Sequence, residues 1–64
     1  MEISKAEYMD PANGWHQYRT STAKSVAQWM VERLPSVDDA EYAMVDRGRY
    51  WTIAVRYTGP NPDA

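Results

Sequence analysis

Ala40-Glu-Tyr-Ala-Met-Val-Asp46-Arg-Gly-Arg-Tyr-Trp51-Thr-Ile-Ala-Val-Arg-Tyr57-Thr58 is the stretch that decides the fold. Trp51, Ile53, Val55 and Tyr57 alternate with Tyr50, Thr52, Ala54 and Arg56, the period-two pattern of a strand with one buried face. Arg47-Gly48 is placed to turn the chain back. A two-residue turn there sets Asp46 opposite Arg49, Met44 opposite Trp51, Tyr42 opposite Ile53 and Ala40 opposite Val55, so the bulky groups of both strands share one face. The other face carries Glu41, Ala43, Val45, Tyr50, Thr52, Ala54 and Arg56, too apolar at its centre for an ordinary wet surface.

Upstream of this hairpin, Ala23, Val26, Ala27, Met30 and Leu34 recur at helical spacing. They predict an amphipathic helix from about Thr22 to Leu34, its stripe laid on the bulky face of the hairpin. Thr20, Ser21 and Thr22 offer hydroxyl caps for its first amides, and Pro35 cannot continue it. Trp29 borders the stripe, while Lys24, Gln28 and Glu32 lie one turn apart on a side that faces water. Trp15 to Thr20 has strand composition and follows the turn-forming Asp10-Pro11-Ala12-Asn13-Gly14. Ile3 to Met9 reads in two ways: as a further strand, the preferred reading, or as one helical turn with Ser4 and Glu7 as a capping box and Ile3 and Tyr8 as a hydrophobic staple. The expected fold class is α+β, one amphipathic helix packed on a three- or four-stranded antiparallel sheet with a C-terminal β-hairpin. Residues 1–58 form a single domain in this reading, and the proline-containing tail 59–64 is disordered.

The chain has 64 residues, no cysteine and one histidine, His16, so disulfides, thiolate chemistry and histidine- or cysteine-rich zinc sites are excluded, and an intracellular setting is the default. Seven Lys and Arg against nine Asp and Glu leave a formal charge of −2, which argues against a general binder of polyanions. Apolar runs fall far short of a bilayer span, and Met1-Glu2-Ile3-Ser4 lacks the basic-then-apolar pattern of a signal peptide. The expectation is a soluble, cytoplasmic protein that is a monomer or weak homodimer and makes no membrane contact.

Few residues offer chemistry. Ser21-Thr22-Ala23-Lys24 matches the S-x-x-K spacing of a lysine-activated serine, but the other motifs of such enzymes and their large substrate domain are missing, and capping accounts for the serine. His16 has no carboxylate or serine at a catalytic spacing. Asp38-Asp39-x-Glu41 lacks the glycine-centred loop of a calcium site, and the isolated glycines Gly14, Gly48 and Gly59 build no phosphate cradle. No catalytic residue, cofactor or metal is expected, which leaves binding through a surface.

Two surfaces compete. Between Glu32 and Asp46 stand five carboxylates against Arg33 alone. Asp38, Asp39, Glu41 and Asp46, joined by Glu7 and Asp10, thus form a candidate acidic patch that mimics phosphates and enters a basic groove on a protein partner. The outward face of the hairpin, with Arg47, Arg49, Tyr50 and Arg56, instead suits a clamp on single-stranded nucleic acid. Net charge favours the protein partner and makes direct nucleic-acid contact the alternative. An antitoxin or accessory subunit of a small operon fits the same features.

A short acidic chain without cysteine, a strand feeding the helix at Arg19-Thr20-Ser21-Thr22-Ala23-Lys24-Ser25-Val26-Ala27, and a closing hairpin at Tyr42 to Ile53 resemble, in layout, the small proteins of bacteriophages and mobile elements, among them anti-CRISPR inhibitors. The resemblance covers residues from about 15 to 58 and rests on architecture rather than a motif. It implies a phage-type, stoichiometric inhibitor that blocks a host nucleoprotein effector, often at its DNA-binding surface, and works in the bacterial cytoplasm without catalytic residues.

Overall fold

The computed structural model describes residues 1–34 and 39–57. Its elements are β1 (Glu2–Ile3), α1 (Lys5–Met9), a 3₁₀ turn (Pro11–Asn13), β2 (His16–Ser21), α2 (Lys24–Arg33), β3 (Ala40–Asp46) and β4 (Trp51–Tyr57). Pro35, Asp38 and the tail 59–64 lie outside the described residues, so the expectations placed on them do too. The four strands form one sheet in the order β1-β3-β4-β2. The fold is α+β as expected, but the sheet is mixed rather than antiparallel, because the N-terminal strand runs parallel to β3. Nothing local forces these two strands into a hairpin: they are joined through β2 and α2, and the Met1 carbonyl accepts the Met44 amide at 2.8 Å.

Both readings of the first nine residues turn out to be half right. The strand stops at Ile3, and Ser4 then caps α1, its Oγ accepting the Glu7 amide at 3.1 Å. Ile3 and Tyr8 bracket this cap and pack against the same buried cluster, as a hydrophobic staple does.

The β3–β4 register differs from the expected one by two residues: Asp46 lies opposite Trp51, Met44 opposite Ile53 and Tyr42 opposite Val55. The turn is longer than Arg47-Gly48 alone, closing with the Arg47 amide donating to the Tyr50 carbonyl at 3.0 Å. Asp46 Oδ1 accepts the Gly48 amide at 2.8 Å, a side-chain bond that holds the wider loop open. A shift of two keeps every side chain on its predicted face, where a shift of one would have exchanged them. Gly48 sits at φ +93° with open space around its missing Cβ. Gly48→Ala therefore costs about 1 kcal/mol from backbone strain alone, measurable as a lower urea midpoint with an unchanged slope.

Both faces of the sheet are covered. Ala27, Met44 and Ile53 form the buried cluster under α2, with Met30, Val31, Leu34 and Trp51 packed against it. Trp15, Ala43, Val45 and Ala54 form a second cluster on the opposite face, closed by Ile3 and Tyr8. The apolar centre of that face is thus roofed by the N-terminal segment, as its composition required.

α2 departs from expectation at its start and in its stripe. It begins at Lys24, and its N-cap is Ala23, which makes no side-chain capping bond; the Ser21 hydroxyl instead accepts the Ala23 amide at 3.3 Å, one step too early to cap the helix. The stripe that packs on the sheet is buried Ala27 with half-buried Met30, Val31 and Leu34, whereas Ala23 is exposed and Val26 is 43% exposed. At about 100° per residue, replacing Val26 by Val31 turns the helix so that Val26, Trp29 and Arg33 share an open flank on the β2 side of the stripe. Leu34 ends the helix as expected, its amide donating to the Met30 carbonyl at 3.0 Å.

Candidate functional site

The described carboxylates among those singled out from sequence are distributed over α1, the 3₁₀ turn and both ends of β3. Asp39 is exposed ahead of β3, while Asp46 ends that strand at its far side and is bound to the Gly48 amide. Seven strand residues put these ends about 20 Å apart. Glu41 Oε2 accepts a hydrogen bond from Arg56 Nη2 at 2.9 Å, an ion pair with both side chains partly exposed. Glu7 occupies the first turn of α1, and Asp10 Oδ1 accepts the Ala12 amide at 3.0 Å, capping the 3₁₀ turn. Among the described residues the carboxylates of Asp10, Glu41 and Asp46 are each engaged by a backbone amide or an arginine.

The hairpin cations are likewise held against aromatic rings. Arg56 stacks over Trp15 with its guanidinium carbon 4.5 Å from the ring centroid, and Arg47 lies over Tyr8 and Tyr50 at 5.2 and 5.6 Å. Arg47 Nη1 also donates to the buried Thr52 Oγ1 at 3.4 Å. The sheet face between these arginines lies beneath Trp15, Ile3 and Tyr8, and Arg49 and Tyr50 stand in the turn beyond it. The S-x-x-K pair diverges: Ser21 Oγ bonds the Ala23 backbone, and Lys24 Nζ reaches Glu2 at 3.8 Å and the Trp51 ring at 5.4 Å. His16 lies exposed on β2 opposite Val55. Among the described residues no three His, Asp or Glu side chains converge as metal ligands, and no helix is long and apolar enough to cross a membrane.

A different group does come together, in a groove of about 270 Å³ between β2 and α2, lined by Arg19, Trp29, Met30, Arg33 and Leu34. A bulge in β2 helps to build it. Gln17 pairs with Ala54 and Arg19 with Ile53, so Tyr18 is an extra residue without an opposite number on β4. The bulge breaks the strict alternation of the strand and lets Tyr18 and Arg19 turn to the same side. Tyr18 meets the Tyr42 ring edge-on at 5.8 Å, on the α2 side of the sheet, and the Arg19 guanidinium carbon sits 5.2 Å from the Tyr18 centroid. From the helix, Trp29 is 54% exposed, with Arg33 stacked on it at 5.0 Å. Among the described residues neither Arg19 nor Arg33 has a carboxylate within ion-pair distance.

Part of this group was open to a sequence reading. Trp29 and Arg33 stand four residues apart on a helix and so share a side, and a tryptophan off the apolar stripe is itself a signal. The bulge carries no residue signature here, since neither glycine nor proline marks it. Comparison of the chain with protein-family models, curated proteins and solved structures gives no match.

Proposed function

We propose that this chain is a non-enzymatic interaction protein that binds and blocks a protein subunit of a larger nucleic-acid-binding complex in the bacterial cytoplasm, as phage-borne anti-CRISPR inhibitors do, and that it docks through the β2–α2 groove. The observation that carries this reading is the pair Arg19 and Arg33 set around an exposed Trp29, without a carboxylate partner among the described residues. Tryptophan, tyrosine and arginine are the residues that concentrate binding energy in protein interfaces, because each offers a large rigid contact together with a polar handle. Here two arginines, a tryptophan and a tyrosine lie side by side on a protein whose net charge is −2. A protein with local cation density and overall acidity discriminates between an acidic protein surface and a long polyanion, which it repels as a whole.

Affinity capture from bacterial lysate, with and without nuclease, tests the reading. The wild type and Asp39→Lys are expected to retain the same host protein in near-equimolar amount after nuclease treatment. A Trp29→Ala, Arg33→Glu double variant should weaken capture at least about 30-fold while its thermal melting stays unchanged, because both side chains are exposed. Added protein should also displace nucleic acid from the captured complex. Capture that vanishes with nuclease, or that fails in Asp39→Lys and persists in the groove variant, overturns the proposal.

A further inference from the structure

β2 is the edge strand of the sheet, paired with β4 alone. Five of its six residues are exposed, and among the described residues no backbone hydrogen bond outside the β2–β4 ladder involves it. An open edge of this kind presents backbone donors and acceptors that only another extended chain can satisfy along their length. The groove lies directly beside that edge, because Arg19 belongs to β2 and the Trp29 flank of α2 stands over it.

We infer that the protein captures an extended acidic segment of its partner as an additional strand on β2, with carboxylates of the segment received by Arg19 and Arg33 and the methylene stems of those acidic side chains laid against Trp29. This rests on the proposal that the partner is a protein. An added strand lies about 4.8 Å beyond β2 and sends alternate side chains to the α2 side. A segment with acids at every second position thus presents its carboxylates to the two guanidinium groups, which suit bidentate carboxylate recognition. The same charges select the occupant. A second copy of this chain pairing through β2 brings Arg19 towards its own counterpart, a like-charge contact that disfavours self-association. A nucleic-acid strand meets the two arginines but leaves the β2 backbone groups unpaired, and it meets the overall negative charge as well.

The test uses the full chain labelled with nitrogen-15 and a capped seven-residue peptide alternating glutamate with valine. Saturable shifts are expected at the amides of Tyr18, Arg19 and Thr20 and at the Trp29 indole, together with slowed hydrogen exchange along β2. Of two versions of the peptide, N-methylated at the odd or at the even positions, one should lose at least tenfold in affinity and the other should still bind, since only one set of amides faces β2. Replacing each glutamate by lysine, or introducing Arg19→Glu with Arg33→Glu in the protein, should abolish the shifts. Equal binding of both methylated peptides, no shifts at millimolar peptide, or tighter binding of a ten-residue oligothymidine at the same amides overturns the inference. If the lysate capture still depends on Trp29 while the peptide result is negative, strand addition fails and the protein-binding role stands; if both experiments are negative, both fall.

Discussion

Trp15→Ala is expected to leave the protein largely unfolded at 37 °C. Trp15 is 7% exposed and joins Ala43, Val45 and Ala54 in the cluster that Ile3 and Tyr8 close. Its buried neighbours in that cluster are small, so the space the indole leaves closes only if Ile3, Tyr8 or Arg56 shifts from its place. Truncating a buried aromatic costs about 3–5 kcal/mol, and a domain of this size is stable by only about 3–10 kcal/mol in total. The ring also anchors Arg56, whose guanidinium is freed in the variant to be held by Glu41 alone. Trp15→Phe is the informative control: it keeps a ring and discards an indole Nε1 that has no hydrogen-bond acceptor among the described residues. It is expected to cost about 1–2 kcal/mol. Urea titrations followed by far-UV circular dichroism separate the two variants, and equal midpoints for Trp15→Ala and the wild type would show that the second cluster contributes little.

Ile53→Ala is the second large effect, expected at about 2–5 kcal/mol. Ile53 is fully buried at the centre of β4, pressed between the sheet and α2 with Met44 and Ala27. From the sequence, Thr52 on the opposite face is expected to matter much less. The structure narrows that gap, because Thr52 is also fully buried and its Oγ1 accepts from Arg47. Thr52→Ala is therefore expected at about 1–2 kcal/mol, and Thr52→Val, which keeps the shape and gives up the hydroxyl, at less. The same denaturation series ranks Ile53→Ala, Thr52→Ala and Thr52→Val in that order; the reverse order for the first two would place the main core on the Trp15 face.

The face assignment of the hairpin was legible because strand alternation needs no knowledge of the turn. Met44 and Ile53 fall on one side and Ala43 and Ala54 on the other whether the loop has two residues or four. The loop itself was misread, since Arg47-Gly48 suits a tight turn by composition and nothing in the one-dimensional pattern weighs the Asp46 side chain bonding the Gly48 amide. The helix stripe was legible to within one residue of rotation. Val26 and Val31 are equal in hydrophobicity, and choosing between them depends on how α2 lies across β3 and β4. The acidic residues read as a patch because they are close in sequence, whereas a seven-residue strand separates Asp39 from Asp46.

Sequence alone determined the class of the fold, the helix end at Leu34 and the two faces of the hairpin, and it offered the capped turn at Ser4 as the alternative to a strand. Each of these follows from residues within a few positions of one another, where backbone geometry and solvation act without reference to the rest of the chain. Only the tertiary structure decided that β1 lies parallel to β3, that Trp15 roofs the second face, and that a bulge beside α2 gathers Tyr18, Arg19, Trp29 and Arg33 into one groove. Those features depend on contacts between segments distant in the chain, and their free energy comes from burying surfaces that no local pattern brings together.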